Sequence, residues 1–515
     1  MGFLEDRDLT GVPSIPEYFE GKTVFITGGS GFVGKVLIEK LLYSCSNLKR
    51  IYLLLRTKKG VDPESRLNDI YSIPCFDRLR NERPDVFKSK VTVVSGDVME
   101  LGLGLSEADR ALLADQVNVV FHVAASVRFD DPLPFAVKLN LRGTRDVVEL
   151  SKEMKNLSAL VHVSTSYSNT NRDPVEEIMY PPHADWRDTI QICEELDENL
   201  IRNLTPKYLG ELPNTYTFTK QLAEHVVYEE RGRLPAVIIR PSIVVSSVSE
   251  PTVGWIDNFN GPVGLLLASG KGIMRSIYTD PDLIADYIPV DICIHNIIIA
   301  AWARGTTTLS PTDDIPVYNC AAGNLYKVTY GALTEIGKEL AAKSPLSGGL
   351  WRVGGNVTPS WTIHYAKVLF LHLLPAVIVD CILWAIGRKP MLFKLQRRIY
   401  TVNLALQYYI SQQWTFTNEK MLQLRANVKE EDRETFSQNI ENMDVYQFYY
   451  RAYLGAKKYL LKEKDEDFPE AKAHAKRLLI LDYFVKFSVC FYLAWWIFNS
   501  AYVKTFWQCA STYVI

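Results

Sequence analysis

From Gly21 to about Gly232 the chain alternates short runs of aliphatic and β-branched residues with longer stretches of helical composition. The runs are Thr23 to Thr27, Arg50 to Leu55, Lys90 to Ser95, Val117 to Val123, Leu160 to Ser164 and Ala236 to Arg240. A strand that is apolar along its whole length has no face to give to water, so such runs belong between two layers of helices. Strands separated by helices pair in parallel, because a parallel neighbour needs a long crossover. The predicted fold class is α/β, a doubly wound parallel sheet.

At 515 residues the chain has room for roughly two to four domains of about 150 residues. Its 47% hydrophobic and 23% charged residues exclude a disordered or coiled-coil protein. Ser344 to Ser360 packs Gly348, Gly349, Gly354, Gly355, Pro345 and Pro359 into a short span and reads as a linker. The rest is helical, aromatic and tyrosine-rich, which predicts a mainly α-helical C-terminal domain with membrane-associating segments. The expected division is an N-terminal extension (1–20), a nucleotide-binding domain (21–343), the linker (344–360), a helical domain (361–480) and an anchoring segment with its tail (481–515).

Lys plus Arg is 57 against 59 for Asp plus Glu, and no basic stripe with interleaved aromatics stands out, so no nucleic-acid partner is expected. The eight cysteines form no C-x-x-C pair, which argues against a metal site or a disulfide framework. Glu5, Asp6 and Asp8 without an apolar run predict no secretory signal, and Asp6 stands where a myristoylation motif wants Ser or Thr. A reducing, cytosol-facing catalytic portion is expected.

Two apolar stretches lie in the C-terminal half. Val368 to Gly387 is long enough to span a bilayer but holds His372, Pro375 and Asp380, and Arg388, Lys389, Lys394, Arg397 and Arg398 follow it, so it is expected to be monotopic or packed on protein. Phe487 to Val503 has 17 residues without a charge, about 25 Å of helix against a hydrocarbon core of about 30 Å, flanked by Lys486 and Lys504. Lys472, Lys476, Arg477 and Lys486 precede it, which places its N-terminal side in the cytosol.

Thr27-Gly28-Gly29-Ser30-Gly31-Phe32-Val33-Gly34 follows the first apolar run and opens a helical stretch, the strand–loop–helix context of a Rossmann-type dinucleotide site. Gly28 permits the tight turn, Gly31 lets backbone approach a pyrophosphate, and Gly34 lets helix and sheet pack closely. The helix N-terminus offers N–H groups to the phosphates. After the second run, where an NAD site places a carboxylate, stand Arg56, Thr57, Lys58 and Lys59, so a ribose 2′-phosphate, hence NADPH, is the better match. Asp97, with Val98, follows the third strand and is placed to accept from the adenine amine. His122 to Ala125 ends the fourth, where small residues such as Ala124 let the cofactor lie against backbone.

Tyr216-Thr217-Phe218-Thr219-Lys220 puts a phenol and an ammonium on one helix face. A fixed cation there is expected to lower the tyrosine's pKa toward neutrality. Ser164 and Thr165 end the fifth strand, where either hydroxyl could polarise a carbonyl, and Pro241 ends the sixth, where it could shape a wall for the nicotinamide.

With these residues in place, positions 21 to about 300 resemble an extended short-chain dehydrogenase/reductase. That resemblance implies a catalytic set of Thr165, Tyr216 and Lys220, with Ser164 the adjacent competitor, and puts Asn140 near the site. Pro16-Glu17-Tyr18-Phe19-Glu20-Gly21-Lys22, Trp255-Ile256-Asp257-Asn258-Phe259-Asn260-Gly261-Pro262 and Ala285-Asp286-Tyr287-Ile288-Pro289-Val290-Asp291 narrow it to the alcohol-forming fatty acyl-CoA reductases. Leu374-Pro375-Ala376, Gly387-Arg388-Lys389-Pro390 and Trp414-Thr415-Phe416 resemble that family's male-sterility-type helical domain, although Asn439 and Val445 stand where many relatives carry Asp and Trp. The resemblance implies NADPH-dependent reduction of a long-chain acyl-CoA to a primary alcohol through a bound aldehyde, at an endoplasmic reticulum or peroxisome membrane. A membrane-associated steroid or sugar-nucleotide dehydrogenase would use the same Tyr216 and Lys220, and a non-catalytic NADP-binding scaffold would bind cofactor without turnover.

Overall fold

A computed structural model describes residues 9–500 apart from 260, 324, 437–439 and 441–442, so Asn439 and the terminal part of the last apolar stretch lie outside the described residues. The chain forms two compact units, one made of Met1–Phe259, Asp282–Tyr330 and Leu404–Leu460, the other of Asn260–Pro281, Gly331–Asn403 and Leu461–Ile515.

The first unit is built on seven parallel strands: β1 (Thr23–Thr27), β2 (Arg50–Leu55), β3 (Val91–Ser95), β4 (Val119–His122), β5 (Ala159–Val163), β6 (Ala236–Pro241) and β7 (Val317–Cys320). Their order across the sheet is β7-β6-β5-β4-β1-β2-β3, so the direction of winding reverses between β1 and β4. Successive side chains of a strand point to opposite faces. Val24 and Ile26 of β1 accordingly join one buried cluster, with Leu37 and Leu41 of helix α1 (Phe32–Ser44), while Phe25 joins another, with Val147 of α2 (Gly143–Glu153) and Phe218 of α3 (Thr215–Tyr228). Ile294, Ile298 and Trp302 of α4 (Val290–Gly305) complete the first cluster, and this helix is buried from Val290 to Arg304.

Three boundaries differ from the sequential division. The N-terminal extension is part of the first unit: Ser14 and Glu17 form a capping box on helix Ile15–Phe19, which buries Ile15, Tyr18 and Phe19. Residues 404–460 belong to the same unit because backbone bonds fix them there. Val175 N–H donates to Thr415 O at 2.9 Å, Thr417 N–H donates to Val175 O at 3.1 Å, and the buried Glu177 carboxylate accepts from the N–H groups of Asn319 and Met421, each at 3.0 Å. Val445 opens helix Val445–Gly455 behind an Asp444 cap. The glycine- and proline-rich stretch contains a strand, Asn356–Thr358, paired in parallel with Ser276–Tyr278 of the second unit.

The second unit holds, among the described residues, two helices long and apolar enough to cross a membrane, Trp361–Ala385 and Asp465–Asn499. The first continues into a tight hairpin in which the Asp380 carboxylate accepts N–H bonds from Met391, Leu392 and Phe393 at 2.9, 2.9 and 2.8 Å. In the second, buried Asp482 pairs with Lys486 at 2.7 Å and Arg352 at 3.2 Å. Exposed apolar side chains run from Ile480 through Phe498, starting earlier than the Phe487 expected from charge-free length alone.

Candidate active site

The parallel register brings the carboxyl ends of β1, β4, β5 and β6 to one edge, with Thr27 opposite His122, His122 opposite His162, and Val163 opposite Ile239. In open α/β sheets ligands bind beyond these ends, at the point where winding reverses. Gly28 leaves β1 at φ +77°, a conformation that side chains resist, and a Cβ on it would lie 2.5 Å from Ala124 N. A Cβ on Gly34 would lie 2.4 Å from Gly28 O, so α1 meets the turn backbone to backbone. Gly29, unassigned by sequence reasoning, is packed under side chains instead of backbone: its Cβ would sit 2.1 Å from Leu53 Cδ1. Gly31 N–H closes the turn on Gly28 O at 2.9 Å, and no side chain caps α1 behind Gly31. Ser30, Phe32 and Val33 therefore sit where first-turn N–H groups can take a pyrophosphate, and the cradle fits a dinucleotide.

Thr27 ties this turn to β4. Thr144 Oγ1 donates to Asn140 O at 2.6 Å and so accepts from His122 Nε2 at 2.9 Å; His122 Nδ1 is then the acceptor for Thr27 Oγ1 at 2.7 Å. Ala124 N–H in turn donates to Thr27 Oγ1 at 3.4 Å. Burial, with the nearby Lys220 ammonium, pushes His122 down to about 3 and keeps the ring neutral for this chain.

Beyond β2, Arg56 and Lys58 are exposed as a phosphate site requires. Arg56 and Asp97, expected to serve different parts of the cofactor, are paired at 2.8 Å, and the other Asp97 oxygen accepts Met99 N–H at 3.0 Å. Arg66 adds a second guanidinium, donating to Arg56 O at 2.5 Å; its place on a separate helix gave no sequence signal. Val98 is buried beneath Gly143, whose Cβ would lie 2.2 Å from Val98 Cγ1, so Val98 can meet a ligand through backbone only.

The expected phenol and ammonium both lie on α3. Asn214 caps the helix by accepting Thr217 N–H at 3.0 Å, an Asn-before-helix signal readable in sequence. Lys220 is buried and donates to Val163 O at 2.6 Å, and burial lowers its ammonium to about 8. Tyr216 differs from the expectation: burial raises its phenol to about 12, opposed only by a hydrogen bond with the Thr165 hydroxyl. Lys220, whose ammonium is directed at the Val163 carbonyl, contributes no lowering in this arrangement. Thr165 Oγ1 also donates toward Pro241 O at 3.4 Å and accepts Tyr167 N–H at 3.2 Å. Ser164 points elsewhere, donating to Glu224 Oε1 at 2.5 Å. Glu224 forms a buried two-point pair with Arg240 at 2.9 and 2.7 Å, so of the two hydroxyls Thr165 is the one beside Tyr216. Asn140, in the π-helical turn Val137–Arg142, donates to Thr219 Oγ1 at 3.1 Å and Ser126 O at 3.2 Å. Among the described residues no group of three or more His, Cys, Asp or Glu could hold a metal.

A parallel sheet wound in this order, with a glycine turn at its reversal point and an NAD-binding family model matching it, defines a nicotinamide-dinucleotide-binding protein. Family models described as "Male sterility protein" match residues 26–297, the NAD-binding part, and 371–463. The chain is 39% identical over 475 residues to Fatty acyl-CoA reductase 1 of Homo sapiens, covering 91% of this chain and 90% of that one. It is 35% identical over 502 residues to Fatty acyl-CoA reductase wat of Drosophila melanogaster, covering 96% of each. The chain belongs to the fatty acyl-CoA reductase family. Its fold is also that of the reductase domain of a non-ribosomal peptide synthetase from Mycobacterium tuberculosis, with TM-score 0.58 at 18% identity over 88% of this chain and 94% of that domain.

Proposed function

We propose that the protein reduces a long-chain fatty acyl-CoA to the primary alcohol with release of CoA, using NADPH, at an intracellular membrane with the catalytic unit on the cytosolic side. The observation that carries the reading is the Thr165 hydroxyl against the Tyr216 phenol, with Lys220 one helical turn on, at the same sheet edge as the glycine cradle. The cofactor would be held by the turn from Thr27 to Gly34, by Arg56 and Lys58 at its 2′-phosphate with Asp97 released from Arg56, and by Val98, Ala124 and Pro241 along its length. When bound, it supplies hydride.

The chain's own residues manage charge and protons. With a pKa of about 12 Tyr216 is a phenol at neutral pH, so it can donate to a substrate carbonyl oxygen, and Thr165 is a second donor from the adjoining strand end. Lys220, at about 8, is still mostly an ammonium at pH 7 and, once turned from Val163 O, would stabilise the phenolate left when Tyr216 gives up its proton. Delivery of hydride and proton to the thioester gives a thiohemiacetal, which expels CoA as the thiol and leaves an aldehyde. A second hydride and proton convert the aldehyde to alcohol at the same groups, so each CoA released requires two NADPH and two protons.

The absence of a carboxylate after β2 and the exposure of Arg56 support NADPH over NADH. The apolar helices Trp361–Ala385 and Asp465–Asn499 support membrane association. The test is product analysis with acyl-CoAs of graded chain length: a primary alcohol from the longer chains is expected, and failure to consume any of them with either nicotinamide cofactor would overturn the reading.

A further inference from the structure

The amide of Asn214 has a defined orientation. Its Oδ1 must accept Thr217 N–H to cap α3, so its Nδ2 is the group that donates to the Tyr409 hydroxyl, at 2.6 Å. Both residues are buried, and they are 195 positions apart in the chain. Tyr216 is the second residue of α3, and its N–H is one of the four at a helix start with no acceptor inside the helix. Its placement therefore depends on the cap and on tertiary neighbours. Thr215 anchors the turn by donating to Asp131 O at 2.9 Å. The Phe129 ring lies 5.9 Å from that of Tyr216 and is stacked on Tyr409 at 4.6 Å. Tyr167, whose N–H donates to Thr165 Oγ1, meets Tyr409 edge-on at 5.2 Å. One side chain thus touches the cap below Tyr216, the ring beside it and the residue that orients Thr165.

We propose that Tyr409 is a positioning residue for Tyr216, acting through the Asn214 cap and the Phe129 ring, so that the region matched by the second family model helps set the geometry of the phenol. The role rests on the reading of Tyr216 as the acid. A residue that merely filled space would do so as well without its hydroxyl; a positioning residue would not.

Tyr409→Phe removes the hydroxyl and keeps the ring, while Asn214→Ser keeps a capping oxygen and loses the donor to Tyr409. Each is expected to lower kcat about tenfold, because a small displacement of a reacting group is costly. KM for the acyl-CoA and the Kd for NADPH should stay unchanged. Both variants break the Asn214–Tyr409 bond, and Tyr409→Phe also removes the hydroxyl's bond with the Thr217 side chain, so the double variant should lose no more than Tyr409→Phe alone. Tyr216→Phe, run in parallel, separates the two claims: normal turnover there sinks the acid reading, whereas an inactive Tyr216→Phe beside a native kcat in Tyr409→Phe and Asn214→Ser sinks only this proposal. Additive losses, or a loss confined to KM or cofactor affinity, overturn it as well. Should Tyr409→Phe fold poorly, Asn214→Ser and its kcat decide the matter alone.

Discussion

Replacing Tyr216 by Phe removes one oxygen from a site whose other contacts do not depend on it. Thr165 keeps its bonds to Pro241 O at 3.4 Å and from Tyr167 N–H at 3.2 Å, so no buried hydroxyl is orphaned. The ring keeps its neighbour Phe129 at 5.9 Å, and Lys220 keeps Val163 O at 2.6 Å. Fold and cofactor affinity should therefore be unchanged, and the loss should fall on the chemical step. General-acid catalysis contributes about a hundredfold to ten-thousandfold. With Thr165 still able to donate, a middle value of about a thousandfold in kcat is expected, equivalent to about 4 kcal/mol of transition-state stabilisation. The assay is steady-state turnover of a long-chain acyl-CoA with NADPH, alongside cofactor binding by fluorescence titration. Turnover within a few-fold of the native protein would refute the role given to the phenol; a thousandfold loss accompanied by weak cofactor binding would refute its confinement to chemistry.

Turnover should fall as pH rises through about 8, where Lys220 loses the proton that supports the phenolate, and Lys220→Arg should remove that limb; a flat native profile to pH 10 contradicts it. Arg56→Asp should lower NADPH affinity by roughly tenfold to 150-fold, the worth of a charge-assisted hydrogen bond, with little change for NADH, as competitive binding of the two would measure. Glu224→Ala leaves the buried Arg240 guanidinium without its counter-charge and should cost about 3 to 5 kcal/mol in denaturant unfolding; a loss below about 1 kcal/mol would mean water replaces the carboxylate. Alkaline extraction should leave the full chain in the membrane pellet, and its recovery in the supernatant would contradict the membrane reading of the apolar helices.

Much of the framework is legible in the sequence because it depends on local pattern. β1 and β2 match their apolar runs residue for residue, and the glycine turn, Tyr216 and Lys220 follow from spacing along one strand–loop–helix and one helix face. β7 carries no such signal, since Val317–Cys320 is a four-residue strand whose place at the sheet edge is set by β6 and not by its own pattern. Ser164 and Thr165 are neighbours at a strand end and point different ways, so a one-residue choice needed Glu224 and Tyr216 in place. The upward shift of Tyr216 comes from burial of the phenol, which the spacing of two groups along one helix face does not give. Tyr409 lies beyond any local pattern.

Counting cofactor against CoA tests the central claim most directly. In a limited-substrate reaction with a long-chain acyl-CoA, NADPH oxidation is followed by absorbance, free thiol by a thiol reagent and the lipid product by mass. Reduction of both stages by the same Thr165, Tyr216 and Lys220 predicts two NADPH oxidised per CoA released and no aldehyde captured by added hydroxylamine; a ratio of one with trapped aldehyde would contradict it.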